Sequence, residues 1–142
     1  MATTCEALSP LVTRRMVIGH VVMCRGCCCG DTVKGKPKIP VEWLKHEWKQ
    51  RGLLKHIQLT ISGCLGPCDL CNVVTIADSA VRIWLGGLCE HRHYMALLEW
   101  ALESKASGRL LPLPCGLDHL RFNPFRPTEQ SALVHGGSGE RV

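Results

Sequence analysis

HIQLTISGCLGPCDLC, residues 56–71, changes character halfway along. Its first seven residues alternate strictly, with Ile57, Leu59 and Ile61 on one face, the period of a half-buried β-strand. Its second half reads C-x3-C-x2-C, so that Cys64, Cys68 and Cys71 follow the strand end at once. The same arrangement stands upstream. VIGHVVM, residues 17–23, is a β-branched run that stops at CRGCCCG, residues 24–30. Two strands, each running into a thiol-bearing loop, frame the whole reading.

The segment between them is helical. Gly35 to Pro40 forms a loop, and Pro40 suits the first turn of a helix, where its missing N–H costs nothing. Val41, Leu44 and Trp48 recur at helical spacing and Gly52 is a natural stop, which predicts an amphipathic helix over 41–51. A strand–helix–strand crossover of this length predicts a parallel pairing of the first two strands. Downstream, VVTIA at 73–77 and VRIWL at 81–85 flank a turn at Asp78 and Ser79, an antiparallel hairpin. Residues 90–104 carry Met95, Leu98 and Leu102 at helical spacing, a second amphipathic helix whose stripe is expected to face the core. The order is β-α-β-β-β-α, an α+β domain with a mixed sheet flanked by helices. After Gly108 the text turns to LLPLP, RFNPFRP and HGGSG. The expected organisation is a flexible leader at 1–15, one domain at 16–108, and a proline-fixed arm with a fraying tail at 109–142.

Composition narrows the class. The chain has 142 residues, 46% of them hydrophobic, enough to bury a core without disulfides. No apolar run reaches the roughly 18 to 20 residues that span a bilayer. The arginines at the start follow the mildly apolar piece, the wrong order for a secretory signal, so a cytoplasmic protein is expected. The formal charge is +5, concentrated in Lys34, Lys36, Lys38, Lys45, Lys49, Arg51 and Lys55. With two Phe and one Tyr there is no aromatic–basic interleaving of a base-stacking platform. The basic run reads as a solvated helix face or as a docking patch for an acidic redox partner.

Seven of the ten cysteines fall in two tight clusters, at 24, 27, 28, 29 and at 64, 68, 71. In a chain of this class such clusters mean metal binding or redox work more often than disulfides. The best-fitting set is Cys24-x4-Cys29 with Cys64-x3-Cys68: four thiolates from two loops, which suits a [2Fe–2S] cluster with two thiolates on each iron. Glycines at 26, 30, 63 and 66 let backbone amides approach the sulfurs. A structural zinc site is the alternative, with Cys24, Cys27, Cys68 and Cys71 as two C-x2-C pairs, although the gap between those pairs is long for a zinc ribbon. Thiol exchange by Cys24 and Cys27 would need a helix N-terminus beside one thiol, and the predicted helix begins only near Val41. C-x3-C-x2-C taken alone is the spacing of radical S-adenosylmethionine enzymes. Only 71 residues follow Cys71, too few for the barrel that such chemistry needs. Cys89, Glu90, His91 and His93 read as a polar helix start with exposed imidazoles rather than a ligand patch. Cys5 and Cys115 read as plain thiols, and Cys89 as core.

VVMC at 21–24, the pair reaching Cys29, SGCLGPC at 62–68 and the hairpin closed by WLGG at 84–87 together resemble the thioredoxin-like [2Fe–2S] ferredoxins. Their fold also underlies the small cluster-bearing subunit of respiratory complex I. The resemblance covers residues 17–104 and implies a thioredoxin-like domain. It implies a soluble one-electron carrier, not an enzyme, with Cys24, Cys29, Cys64 and Cys68 as cofactor ligands. It further implies a protein redox partner and a chain that often pairs with a second copy; proteins of this kind are sometimes associated with cobalt and corrin metabolism. Two departures stand out. Cys27 and Cys28 are extra, so either competes with Cys29 as second ligand, and Leu70 with Cys71 replaces the family's usual Gly-Pro.

Overall fold

A computed structural model describes residues 10–26 and 28–127. Five strands form one mixed sheet in the order β2-β1-β3-β4-β5. Strand β1 (Gly19–Cys24) and strand β2 (Ile57–Ser62) pair in parallel, with Cys24 opposite Ser62. Helix α1 (Val41–Gln50) makes the crossover between them. Strand β3 (Val74–Ala77) lies antiparallel to β1 on its other side, and β4 (Arg82–Leu85) completes the hairpin. The parallel pair, the crossover and the hairpin are therefore as the sequence predicts.

Helix α1 forms for the expected reason. Val41, Leu44 and Trp48 are all buried on one face, and α1 packs on β2 and on helix α2 (His91–Ser107). The Trp48 indole N–H donates to the Ile57 carbonyl at 2.8 Å, which ties the end of the helix to the start of β2. Burying a tryptophan and satisfying its one polar atom in the same contact fixes the crossover.

Helix α2 turns a different face inward from the one its aliphatic residues predict. Its core side is Tyr94, Leu97, Leu98, Ala101 and Ser104, while Met95 is exposed and Leu102 half-buried. Among the polar residues buried on the inner side, Tyr94 and Ser104 shift the stripe by one position, and both are hydrogen-bonded there. The Tyr94 hydroxyl donates to the Leu88 carbonyl at 3.0 Å, and the Ser104 hydroxyl accepts from the Leu111 amide at 3.0 Å.

Residues 109–127 are more than an irregular arm. The Trp100 indole donates to the Leu111 carbonyl at 2.8 Å, pinning the proline-rich run to α2. A short helix α3 (Cys115–Asp118) then buries Leu117 completely. Strand β5 (Arg121–Phe122) pairs with β4, setting Phe122 opposite Trp84. The sheet thus has five strands where the sequence predicts four. The expected leader up to residue 9 and the expected fraying tail after 127 lie outside the described residues.

Candidate metal centre

The two cysteine loops leave the sheet side by side. Cys24 ends β1 opposite Ser62, and the Arg25 amide donates to the Ser62 carbonyl at 2.9 Å, so Cys64 starts its loop from the neighbouring strand. Adjacent strands lie about 4.8 Å apart. The parallel pairing therefore delivers both thiol pairs to one end of the sheet.

The first loop is tightly folded. Gly26 takes a positive φ of 101° and its amide donates to the Cys29 carbonyl at 3.0 Å, so the chain doubles back between Cys24 and Cys29. Beyond the thiols, Asp31 accepts from the Val33 and Lys34 amides and caps a turn of 3₁₀ helix. Cys24 and Cys29 are both fully buried, and the Cys29 thiol hydrogen-bonds that of Cys24. Burial pushes the Cys29 thiol up to about 12, and the Cys24 contact adds to the rise. A hydrogen bond with the Val73 backbone works the other way, while charge on Cys24 or Cys71 would raise it further. Metal binding at this thiol must displace a firmly held proton.

The second loop is more open. Cys64 is exposed, and its sulfur accepts a hydrogen bond from the Gly66 amide at 3.3 Å. Cys68 is half-buried and begins a 3₁₀ turn, Cys68–Leu70. The Cys71 thiol donates to the Cys68 carbonyl at 2.8 Å and stands within electrostatic reach of Cys29. The thiols that meet are thus Cys24 and Cys29, with Cys71 beside them; Cys64 and Cys68 stand on the neighbouring loop. Among the described residues, no three of His, Cys, Asp and Glu are grouped to hold a metal ion. Cys27 lies outside the described residues, and with it one member of the zinc set.

One residue that the sequence reading passed over organises the centre. Asn72 is fully buried. Its side-chain oxygen accepts from the Gly30 amide at 2.7 Å, and its nitrogen donates to the Pro37 and Leu88 carbonyls at 3.0 Å. It also donates to the Tyr94 hydroxyl at 3.2 Å. Tyr94 is itself held protonated by burial, with an opposing pull from Asn72. The only signal in the sequence is position: an amide between a thiol-bearing loop and the run VVTIA.

The residues around 90 also differ from expectation. His91 is exposed, its ring centroid 4.5 Å from that of Trp43. His93 is buried, and its Nδ1 accepts from the Cys89 and Glu90 amides at 3.2 Å while Glu90 accepts from the His93 amide. This is a capping box with histidine in place of the usual Glu or Gln. Cys89 and Cys115 are exposed, so Cys89 is no core residue. Among the described residues, no helix is long and apolar enough to cross a membrane. Comparison with protein-family models and with curated proteins gives no match.

Proposed function

We infer that this chain is a one-electron carrier built to hold a [2Fe–2S] cluster on Cys24, Cys29, Cys64 and Cys68, within a thioredoxin-like domain. The observation that carries the reading is the Cys24–Ser62 register of the parallel β1–β2 pair, which starts the two cysteine loops from neighbouring strand ends. The donor set suits the group. Four thiols from two loops match two irons with two thiolates each. At Gly26, Gly63 and Gly66 a Cβ would meet nothing within 4 Å, so the space beside the loop backbone is open. The Gly66 amide already donates to the Cys64 sulfur, the kind of contact that tunes a cluster's potential.

When bound, the group supplies a one-electron couple at the end of the sheet. The chain's own contribution is to bring Cys64 and Cys68 onto the pair that Cys24 and Cys29 already form, a closure coupled to metal binding. Asn72 holds the first loop in place through Gly30. Lys38, Lys45, Lys49 and Lys55 are exposed, and they favour an acidic redox partner chiefly by raising the encounter rate.

Anaerobic purification followed by a visible spectrum and iron and sulfide assays tests the proposal. It expects two irons and two sulfides per chain and bands that bleach with dithionite. A colourless protein with one zinc per chain would replace it with a structural zinc module on Cys24, Cys27, Cys68 and Cys71. Serine substitutions at Cys27, Cys28 and Cys29 then identify the second ligand: under this reading only Cys29→Ser loses iron.

A further inference from the structure

A cavity of about 560 Å³ opens beside the first cysteine loop, between that loop, the start of α1 and the start of α2. Its size is that of a small-molecule site. Arg25, Lys38 and His91 supply its polar donors, against one acid, Glu42. Neither Arg25 nor Lys38 has an ion-pair partner among the described residues. An excess of cations over carboxylates around a concavity with low-dielectric walls concentrates anions there. One wall is aromatic: the Trp43 and His91 rings stand 4.5 Å apart at 58°. Aromatic rings favour offset or edge contacts with a further planar group.

We propose that this cavity binds a small planar carboxylate. Arg25 and Lys38 take the carboxylate, and the ring system lies against Trp43. Arginine favours this assignment over a bare charge effect, because its guanidinium matches a carboxylate with two parallel hydrogen bonds. None of the residues it uses is a ligand of the proposed cluster, but Arg25 directly follows Cys24. An anionic cluster there would compete for its charge, so binding is expected to be tighter in the metal-free chain.

The test uses benzoate, benzamide, inorganic phosphate and a tetraglutamate peptide as probes, each followed by ligand-observed NMR. Cys89 also lines the cavity and is exposed, so protection of Cys89 from alkylation, read by peptide mass mapping, reports occupancy independently. Benzoate is expected to bind saturably with a Kd of about 1 mM or below and to protect Cys89. An R25A/K38A double variant should weaken benzoate at least about 10-fold. Trp43→Ala should weaken benzoate while leaving phosphate unchanged. Both cations are exposed, and circular dichroism confirms that the double variant is folded. The proposal is overturned if benzamide binds as well as benzoate, if phosphate binds better than benzoate, or if no probe protects Cys89. Binding of tetraglutamate without benzoate would equally overturn it and assign the cavity to a protein partner's acidic segment.

Discussion

The Gly30 amide donates to the side-chain oxygen of Asn72 at 2.7 Å, joining positions 42 residues apart. Gly30 follows Cys29 and Asn72 follows Cys71, so this bond holds one cysteine loop against the root of the other. The Asn72 nitrogen continues the link to the Pro37 and Leu88 carbonyls and to the Tyr94 hydroxyl. One fully buried amide thus connects both loops, the entry to α1 and helix α2.

Asn72→Ala should therefore cost about 3 kcal/mol, because it strands several buried polar groups at once. Denaturant unfolding measures the loss. The same variant should speed alkylation of Cys29, which the intact loop keeps buried. Unchanged Cys29 labelling with lowered stability would show that Asn72 supports the core and not the loop.

How far the sequence was legible follows from the range of each signal. Strands β1 and β2 and helix α1 rest on local periodicity, in residues such as Ile57, Leu59, Leu44 and Trp48, and fold as that periodicity predicts. Strand β5 has two residues and exists only because β4 offers an edge, so no local pattern announces it. The inner face of α2 eludes a hydropathy reading because Tyr94 and Ser104 are polar, and their partners, Leu88 and Leu111, lie outside the helix. At the candidate centre, spacing pairs Cys24 with Cys29 and Cys64 with Cys68. The direction in which Cys71 turns its thiol depends on the Cys68 carbonyl, which spacing does not encode.

Gly86→Ala tests the support of the second loop. A Cβ at Gly86 would lie 3.0 Å from the Leu70 carbonyl oxygen, which already accepts from the Gly87 amide at 2.8 Å. The hairpin end must then move away from the turn that carries Cys68. A loss of about 2 kcal/mol is expected, together with reduced iron per chain. Full metal content with wild-type stability would refute this clamp.

Burial of Leu117 makes residues 109–127 part of the folding unit. Leu117→Ala should cost about 3 kcal/mol, the usual penalty for a leucine lost from a closed core. Phe125→Ala should cost less, since that ring is exposed and meets Trp84 only edge-on. Urea midpoints of the two variants rank them.

Acid should destabilise the protein through His93. Burial, reinforced by Arg92 and His119 and opposed by Glu90, holds its imidazole below the ordinary 6.5. Well above pH 6.5 neither the folded nor the unfolded chain binds this proton, and the stabilisation is complete. As pH falls below that value the unfolded chain protonates first, so stability is lost down to the folded pKa. The neutral ring uses Nδ1 to accept from the Cys89 and Glu90 amides, and a proton there removes the cap. Melting curves between about pH 7.5 and 5.5 should show a falling Tm that is shallower in His93→Gln, whose side chain still accepts at this position. His20, also held low by burial and then by Arg82, contributes a slope of the same sign.

Cys71 discriminates between the two metal readings. Its thiol donates to the Cys68 carbonyl at 2.8 Å, and a serine hydroxyl at the same place can make that bond. Under the cluster reading Cys71 shapes the turn behind Cys68 without holding iron. Cys71→Ser should then keep its full iron and sulfide, whereas Cys71→Ala, which strands the carbonyl, should lose about 1 kcal/mol of stability. Under the zinc reading Cys71 is one of four ligands, and serine is a poor substitute for a thiolate at a closed site. Cys71→Ser would then release the metal and cost as much as Cys68→Ser. Metal analysis of Cys71→Ser, Cys71→Ala and Cys68→Ser separates the cases: iron retained in the first and lost in the third identifies Cys71 as a turn residue beside the centre.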